Sequence, residues 1–229
     1  PSCVATSDAG LGVGYTSLRI RGIDATRTNV MLNDIPLNDA ESHSMFWGNM
    51  PDLASTLSSI QLQRGVGTSS NGSGAFGSNL NLQTMRNARQ PYANINGSYG
   101  SFNTHKATFS VGSGLINQRF AFDARISDIG SDGYIDRAST RLKSFYTQSA
   151  FYGENTTARL LVFGGKERTY HAWNYASREE MEQFGRRYNS CGLMFTDENG
   201  HQHFYEDNRL PAVAGAGICI CAGGTSGSR

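Results

Sequence analysis

Residues 119–127 narrow most what this chain can become. Phe120, Phe122, Ala124 and Ile126 fall at alternate positions, with Arg119, Asp123, Arg125 and Ser127 between them. In a strand successive side chains point to opposite faces, so one face is free of charge and the other carries three charges. A charge facing lipid near the bilayer midplane costs roughly 2–4 kcal/mol for Arg or Lys. If this strand crosses a membrane, its charged face must look inward. A soluble sandwich offers the alternative of burying the apolar face against a second sheet.

The neighbouring segments repeat the pattern. Ala93, Ile95, Gly97 and Tyr99 oppose Asn94, Asn96 and Ser98, and Ala107, Phe109 and Val111 oppose Lys106, Thr108 and Ser110. Residues 141–152 and 156–164 are also strand-like, but both of their faces are apolar and no lipid side is assigned. The connections 112–118 and 153–156 are short, 128–140 is longer, and the segment after Gly165 is longer still. Short turns at one end and long loops at the other are the asymmetry of outer-membrane barrels. The short connection 100–104 breaks that alternation. Within the long segment, Ser177-Arg178-Glu179-Glu180 reads as a capping box opening a helix to about Tyr188.

Composition agrees with a turn-rich β protein. Charged residues are 17%, below the roughly 25% of soluble domains, while 27 Gly, 12 Phe and 10 Tyr stand against 5 Pro. Lys and Arg total 20 against 19 Asp and Glu, so no net field recruits nucleic acid. No stretch approaches the roughly 18 apolar residues of a membrane helix, which leaves barrel strands unaffected.

Residues 1–85 have a different texture. Ser17-Leu18-Arg19-Ile20-Arg21-Gly22 and Thr28-Asn29-Val30-Met31-Leu32 read as short strands. Asn33-Asp34 is a tight turn into Ile35-Pro36-Leu37, and 51–57 is a candidate short helix. Residues 59–64 and 79–84 alternate as strands on either side of a Gly-rich stretch, 65–77. A small α+β domain followed by about five long strands is expected, with the division near residue 85.

Two blocks now carry a resemblance. Leu18-Arg19-Ile20-Arg21-Gly22, with Val30-Met31-Leu32-Asn33-Asp34-Ile35-Pro36, resembles the core of TonB-dependent receptor plugs. Ser59-Ile60-Gln61-Leu62-Gln63-Arg64-Gly65, with Gly74-Ala75-Phe76-Gly77-Ser78-Asn79-Leu80-Asn81-Leu82-Gln83-Thr84, resembles the segment that ends such plugs. Tyr99-Gly100-Ser101-Phe102-Asn103-Thr104 and 163–169 are similar to barrel segments, and Asn49-Met50-Pro51-Asp52 looks most like receptors of the Bacteroidetes. The resemblance spans about 5–208 and implies a 22-stranded barrel in the outer membrane of a Gram-negative cell, with the plug inside its lumen. It implies uptake of a scarce ligand, such as an iron chelate or cobalamin, driven by TonB. The partners implied are outer-membrane lipid, TonB and a small-molecule ligand. The TonB-contacting segment normally precedes the plug and is expected upstream of Pro1, which lacks a Met and an apolar leader. The chain alone is therefore expected not to transport. A glycan importer of the same fold and a soluble or surface adhesin are the rival readings.

Arg19, Arg21 and Arg64 are poor choices for a small soluble core and are candidates for contacts with lumen carboxylates, against the plainer role of exposed strand-end residues. Tyr170, His171, Trp173 and Tyr175, with Tyr188, are candidates for ligand contact on the long-loop side, against a place in the aromatic girdle. No catalytic residue is expected, because Gly72-Ser73-Gly74 lies in coil rather than a nucleophile elbow. No cofactor is expected either: 65–77 lacks the Gly-Lys-Ser/Thr of a phosphate cradle. His201 and His203 have the spacing of two metal ligands but no third in reach, so solvated loop histidines are expected. Asp197-Glu198-Asn199-Gly200 reads as a turn. The four cysteines suggest no disulfide framework. Residues 209–229, rich in Gly and Ala and without a period of two, are expected to be foreign to the fold.

Overall fold

The computed structural model describes residues 3–7, 12, 16–47, 50, 52–65, 76–85, 87–170, 172 and 174–205, together with the backbone of 213–224. The first part holds a two-stranded ribbon, β1 (Cys3–Ser7) against β2 (Thr16–Ile20). Next to it in sequence comes a four-stranded sheet in the order β4 (Ile35–Pro36), β3 (Thr28–Leu32), β6 (Ser78–Thr84), β5 (Leu57–Arg64). The central pair β3–β6 is parallel and the outer pairs are antiparallel. All five residues of β3 are buried, polar ones included. Their polar groups are matched across the pair: Thr28 Oγ lies 2.9 Å from Ser78 Oγ, and Asn29 Nδ2 donates to Asn79 Oδ1 at 3.0 Å. Buried polar groups persist when they are paired in this way.

The two-residue turn between β3 and β4 places Asn33 at φ 49° and Asp34 at φ 68°. That is the left-handed region a short hairpin requires, and Asn and Asp enter it at little cost. Residues expected as a helix over 51–57 form only one 3-10 turn, Leu53–Thr56, since Leu57 already begins β5.

The second part is one antiparallel wall in the order β14-β11-β10-β9-β8-β7. Its strands are β7 (Tyr92–Gly100), β8 (Thr104–Ile116), β9 (Phe120–Ser131), β10 (Thr140–Tyr152), β11 (Thr156–Thr169) and β14 (Val213–Gly224). The first five are the strands the alternation anticipates, and they run longer. β8 continues to Ile116 through a bulge between Gly112 and Leu115, so the turn expected over 112–118 shrinks to 117–119. β14 falls in the Gly/Ala-rich tail. It pairs with β11 from Glu167↔Val213 to Thr156↔Gly224. Ladder bonds are made by the backbone, so a strand there needs no side-chain period.

Beyond β11, the capping box at Ser177 and Glu180 is formed and opens α1 (Arg178–Phe184). The helix stops before the expected Tyr188, because Gly185 turns the chain at φ 95°. The hairpin of β12 (Leu193–Thr196) and β13 (Gln202–Phe204) closes on the Asp197–Gly200 turn. Arg137 lies over the Phe204 ring at 3.6 Å, and Arg187 pairs with Asp136 at 3.1 Å, so the loop after β9 and the segment after α1 hold one another at the same rim.

The two faces of the wall differ as the alternation predicts. Ile95, Phe109, Ile126 and Phe145 stand in one cross-strand row and are all exposed. Phe120 and Phe122 extend this outward belt. The inward face carries Arg125, Ser127, Ser144 and Gln148, all buried. β10 and β11, whose sides the sequence leaves open, turn Leu142, Tyr146, Leu161 and Phe163 inward. Tyr146, Leu161 and Phe163 form one apolar cluster with Val30, Leu32, Leu53, Leu80 and Leu82 of the small sheet. Both faces of these strands are apolar because one meets solvent or lipid and the other meets the domain inside.

Candidate functional site: the interface between plug and wall

The small domain is fastened to the wall by two polar clusters flanking this apolar patch. Asp52 is the centre of the first. It caps the 3-10 turn from the left-handed region, φ 57° and ψ 28°, and its side chain is 5% exposed. One carboxylate oxygen accepts from Lys106 Nζ at 2.7 Å and Ser55 Oγ at 2.6 Å. The other accepts from Arg125 Nη1 at 2.9 Å and Ser127 Oγ at 2.7 Å. Arg125 Nη2 also donates to the Asp52 backbone carbonyl at 3.1 Å, and Ser144 joins through Ser127 at 2.7 Å. Burial alone would raise the Asp52 pKa. Hydrogen bonds from Lys106, Ser55 and Ser127, with the charge of Arg125, outweigh it and hold the carboxyl below the usual carboxylate range.

The second cluster lies on the linker to the wall. Asn87 donates to Asp123 Oδ2 and accepts from Gln148 Nε2, the latter at 2.6 Å. Gln148 in turn accepts from the Tyr146 hydroxyl at 2.5 Å. The bulge in β8 grips the same linker, where Leu115 N donates to the Arg89 carbonyl at 3.0 Å. Gly114 at φ +67° leaves no room for a Cβ beside the backbone of Gln90 and Pro91. Between the clusters lies a cavity of about 490 Å³ bordered by Thr56, Lys106, Asp123, Arg125 and Tyr146.

The anticipated residues fall elsewhere. Arg19, Arg21 and Arg64 are exposed, and none forms a salt bridge among the described residues. The fastening instead has the opposite polarity, an acid on the inner domain and bases on the wall. Part of the signal lies in the sequence: Arg125 is on the face whose charges look inward, which calls for an acid inside, and Asp52 stands in the Asn49-Met50-Pro51-Asp52 block. At the long-loop rim Tyr170 borders a cleft and Tyr175 is 92% exposed, while His171 and Trp173 lie outside the described residues. His201 and His203 both lean on Asp197, at 3.4 and 3.5 Å. No group of three metal-ligating side chains occurs among the described residues.

An inner mixed sheet latched to the inside of an outward-apolar antiparallel wall is the arrangement of a plug held against part of a barrel wall. The comparisons agree. Residues 3–78 match the TonB-dependent Receptor Plug Domain family. The whole has the fold of the plug and first wall strands of such receptors, which are not enzymes. The ferric yersiniabactin uptake receptor FyuA from Yersinia pestis superposes with a TM-score of 0.65 at 14% identity, over 83% of this chain and 30% of that one. The ferric citrate transporter FecA gives 0.62 at 19% identity, over 84% and 31%. The ferripyoverdine receptor of the outer membrane of Pseudomonas aeruginosa gives 0.60 at 10% identity, over 90% and 26%. The chain thus spans between about a quarter and a third of these structures. No curated protein matches it.

Proposed function

We propose that this chain is the plug and first wall strands of a Bacteroidetes-type TonB-dependent receptor, which takes up an iron chelate or cobalamin across the outer membrane. The observation that carries the reading is the Asp52 cluster, which ties a plug sheet to the charged inner face of a wall whose other face is an exposed apolar belt. On this reading the plug ends at residue 85 and the barrel begins at 86, with residues 165–208 as an extracellular loop. Tyr170, His171, Trp173 and Tyr175 are then the candidates for contact with an incoming ligand. Arg19, Arg21 and Arg64 pair with carboxylates on further wall strands, and TonB engages the receptor from the periplasmic side.

Fractionation of cells expressing the gene tests the reading. Recovery from outer membranes only with detergent is expected, and full solubility in the periplasm or medium would overturn it in favour of a surface binding module. Growth of a deletion strain on ferric siderophores, ferric citrate or cobalamin as sole source then assigns the ligand, by which source it no longer uses.

A further inference from the structure

The outward face changes character one residue row beyond the apolar belt, toward the long-loop rim. Next to the row of Ile126 and Phe145 stand Asp128, Lys143 and Lys166 in cross-strand register, and beyond them Gly130, Arg141 and Arg168. Lys143 is directly opposite Lys166, and Arg141 directly opposite Arg168, all four exposed. Like charges facing each other across a ladder destabilise the pair, and two such pairs in succession do so twice. The only salt bridge any of the four makes among the described residues is Lys143 to Asp128 at 3.8 Å, with both side chains well exposed. Arg141 and Arg168 line a cleft of about 370 Å³ together with His105, Asn103, Asp132 and Tyr170. His105 lies over Gly130, where a Cβ would strike its ring, so the glycine keeps the imidazole against the row of cations. Arginine forks match phosphate geometry, and lysines add point charge.

The geometry points to a binding site for the phosphorylated headgroup of a lipid in the leaflet at the long-loop rim, with acyl chains lying along Ile126, Phe145 and Phe109. Phosphate between the facing pairs removes the repulsion, and the apolar belt directly beneath favours a lipid over a free anion. This rests on the reading that the outward face meets lipid.

The test uses the full chain folded in a nonionic detergent, with diphosphoryl lipid A and its dephosphorylated form as probes and native mass spectrometry as the readout. Phosphorylated lipid A is expected to bind at least tenfold more tightly, and the R141Q/R168Q variant to lose that preference. R119Q, at the opposite rim, is expected to keep it. Arg168→Glu places opposite charges across the ladder. It is expected to raise the Tm of the lipid-free protein while abolishing lipid preference. Equal affinity for the two lipids, or unchanged preference in R141Q/R168Q, would overturn the assignment. Displacement of the lipid by inorganic pyrophosphate at equal concentration would reassign the cleft to a free anion. A chain that stays soluble without detergent sinks the membrane reading itself, whereas a detergent-requiring chain indifferent to lipid A phosphates sinks only this inference.

Discussion

Replacing Asp52 by Ala probes the plug–wall latch directly. The substitution leaves Arg125, whose side chain is 9% exposed, without its acid in the lumen. Breaking a buried pair by removing one partner costs about 3–5 kcal/mol, mostly the penalty of an uncompensated charge. Lys106 is 34% exposed and regains water, so its lost pair adds only about 0.2–1 kcal/mol. Ser127 and Ser144 still satisfy each other at 2.7 Å. The expected loss is about 4 kcal/mol, or roughly a thousandfold increase in local opening at about 1.4 kcal/mol per decade. Hydrogen exchange of the β5 and β6 amides, measured on the chain in detergent micelles, reads this opening. R125A removes the orphaned cation, so the D52A/R125A double variant should be milder than the sum of the singles by about 2–3 kcal/mol. Exchange in D52A within about 0.5 kcal/mol of wild type, or strict additivity of the cycle, would refute the view that this carboxylate holds the plug.

Three further outcomes follow from the same contacts. Asp52 has a lowered pKa in the folded chain, so its contribution is present above the unfolded value of about 3.9 and is lost as pH falls through the folded value; plug exchange should rise below about pH 4, and the rise should be absent in D52A. Gly114→Val forces a β-branched residue into positive φ against the linker backbone, a strain of about 1–3 kcal/mol that should free 87–91 to limited proteolysis while β10 and β11 keep their protection. Leu161, fully buried where plug and wall meet, should cost about 2–5 kcal/mol when cut to Ala, seen as a lower detergent-phase unfolding midpoint.

How much of this was legible in the sequence depends on which physical rule governed each part. The faces of β8 and β9 could be read because lipid and lumen impose opposite demands on alternate residues, and a period of two records them. The faces of β10 and β11 could not, because the plug makes the inner side of Tyr146, Leu161 and Phe163 as apolar as the outer side. The β14 pairing was invisible, since a backbone ladder leaves no mark on a Gly/Ala-rich segment. The latch was half visible. Arg125 falls on the face whose charges look inward and Lys106 on the polar face of β8, but their acid lies 54 and 73 residues earlier, and separation of that order carries no sequence pattern.

The polarity of the latch bears on how such a plug could yield. Val30, Leu32, Leu53, Leu80 and Leu82 share one apolar cluster with wall residues Tyr146, Leu161 and Phe163. Withdrawing the sheet as a body would return all of this surface to water, at roughly 25 cal/mol per Å². The polar clusters behave differently. Their donors and acceptors exchange protein partners for water at a net cost near 1 kcal/mol per bond, with the buried Asp52–Arg125 pair above that. Asp52 also sits at the start of a single 3-10 turn, in a left-handed conformation outside the ladders of the plug sheet. Force that pulls on the plug therefore meets its weakest resistance at the polar clusters, whose wall residues Lys106, Arg125, Asp123 and Gln148 border the 490 Å³ cavity, and its strongest at the leucine cluster. Local rearrangement that widens this cavity, with the leucine cluster left in place, is the cheaper of the two routes through the lumen.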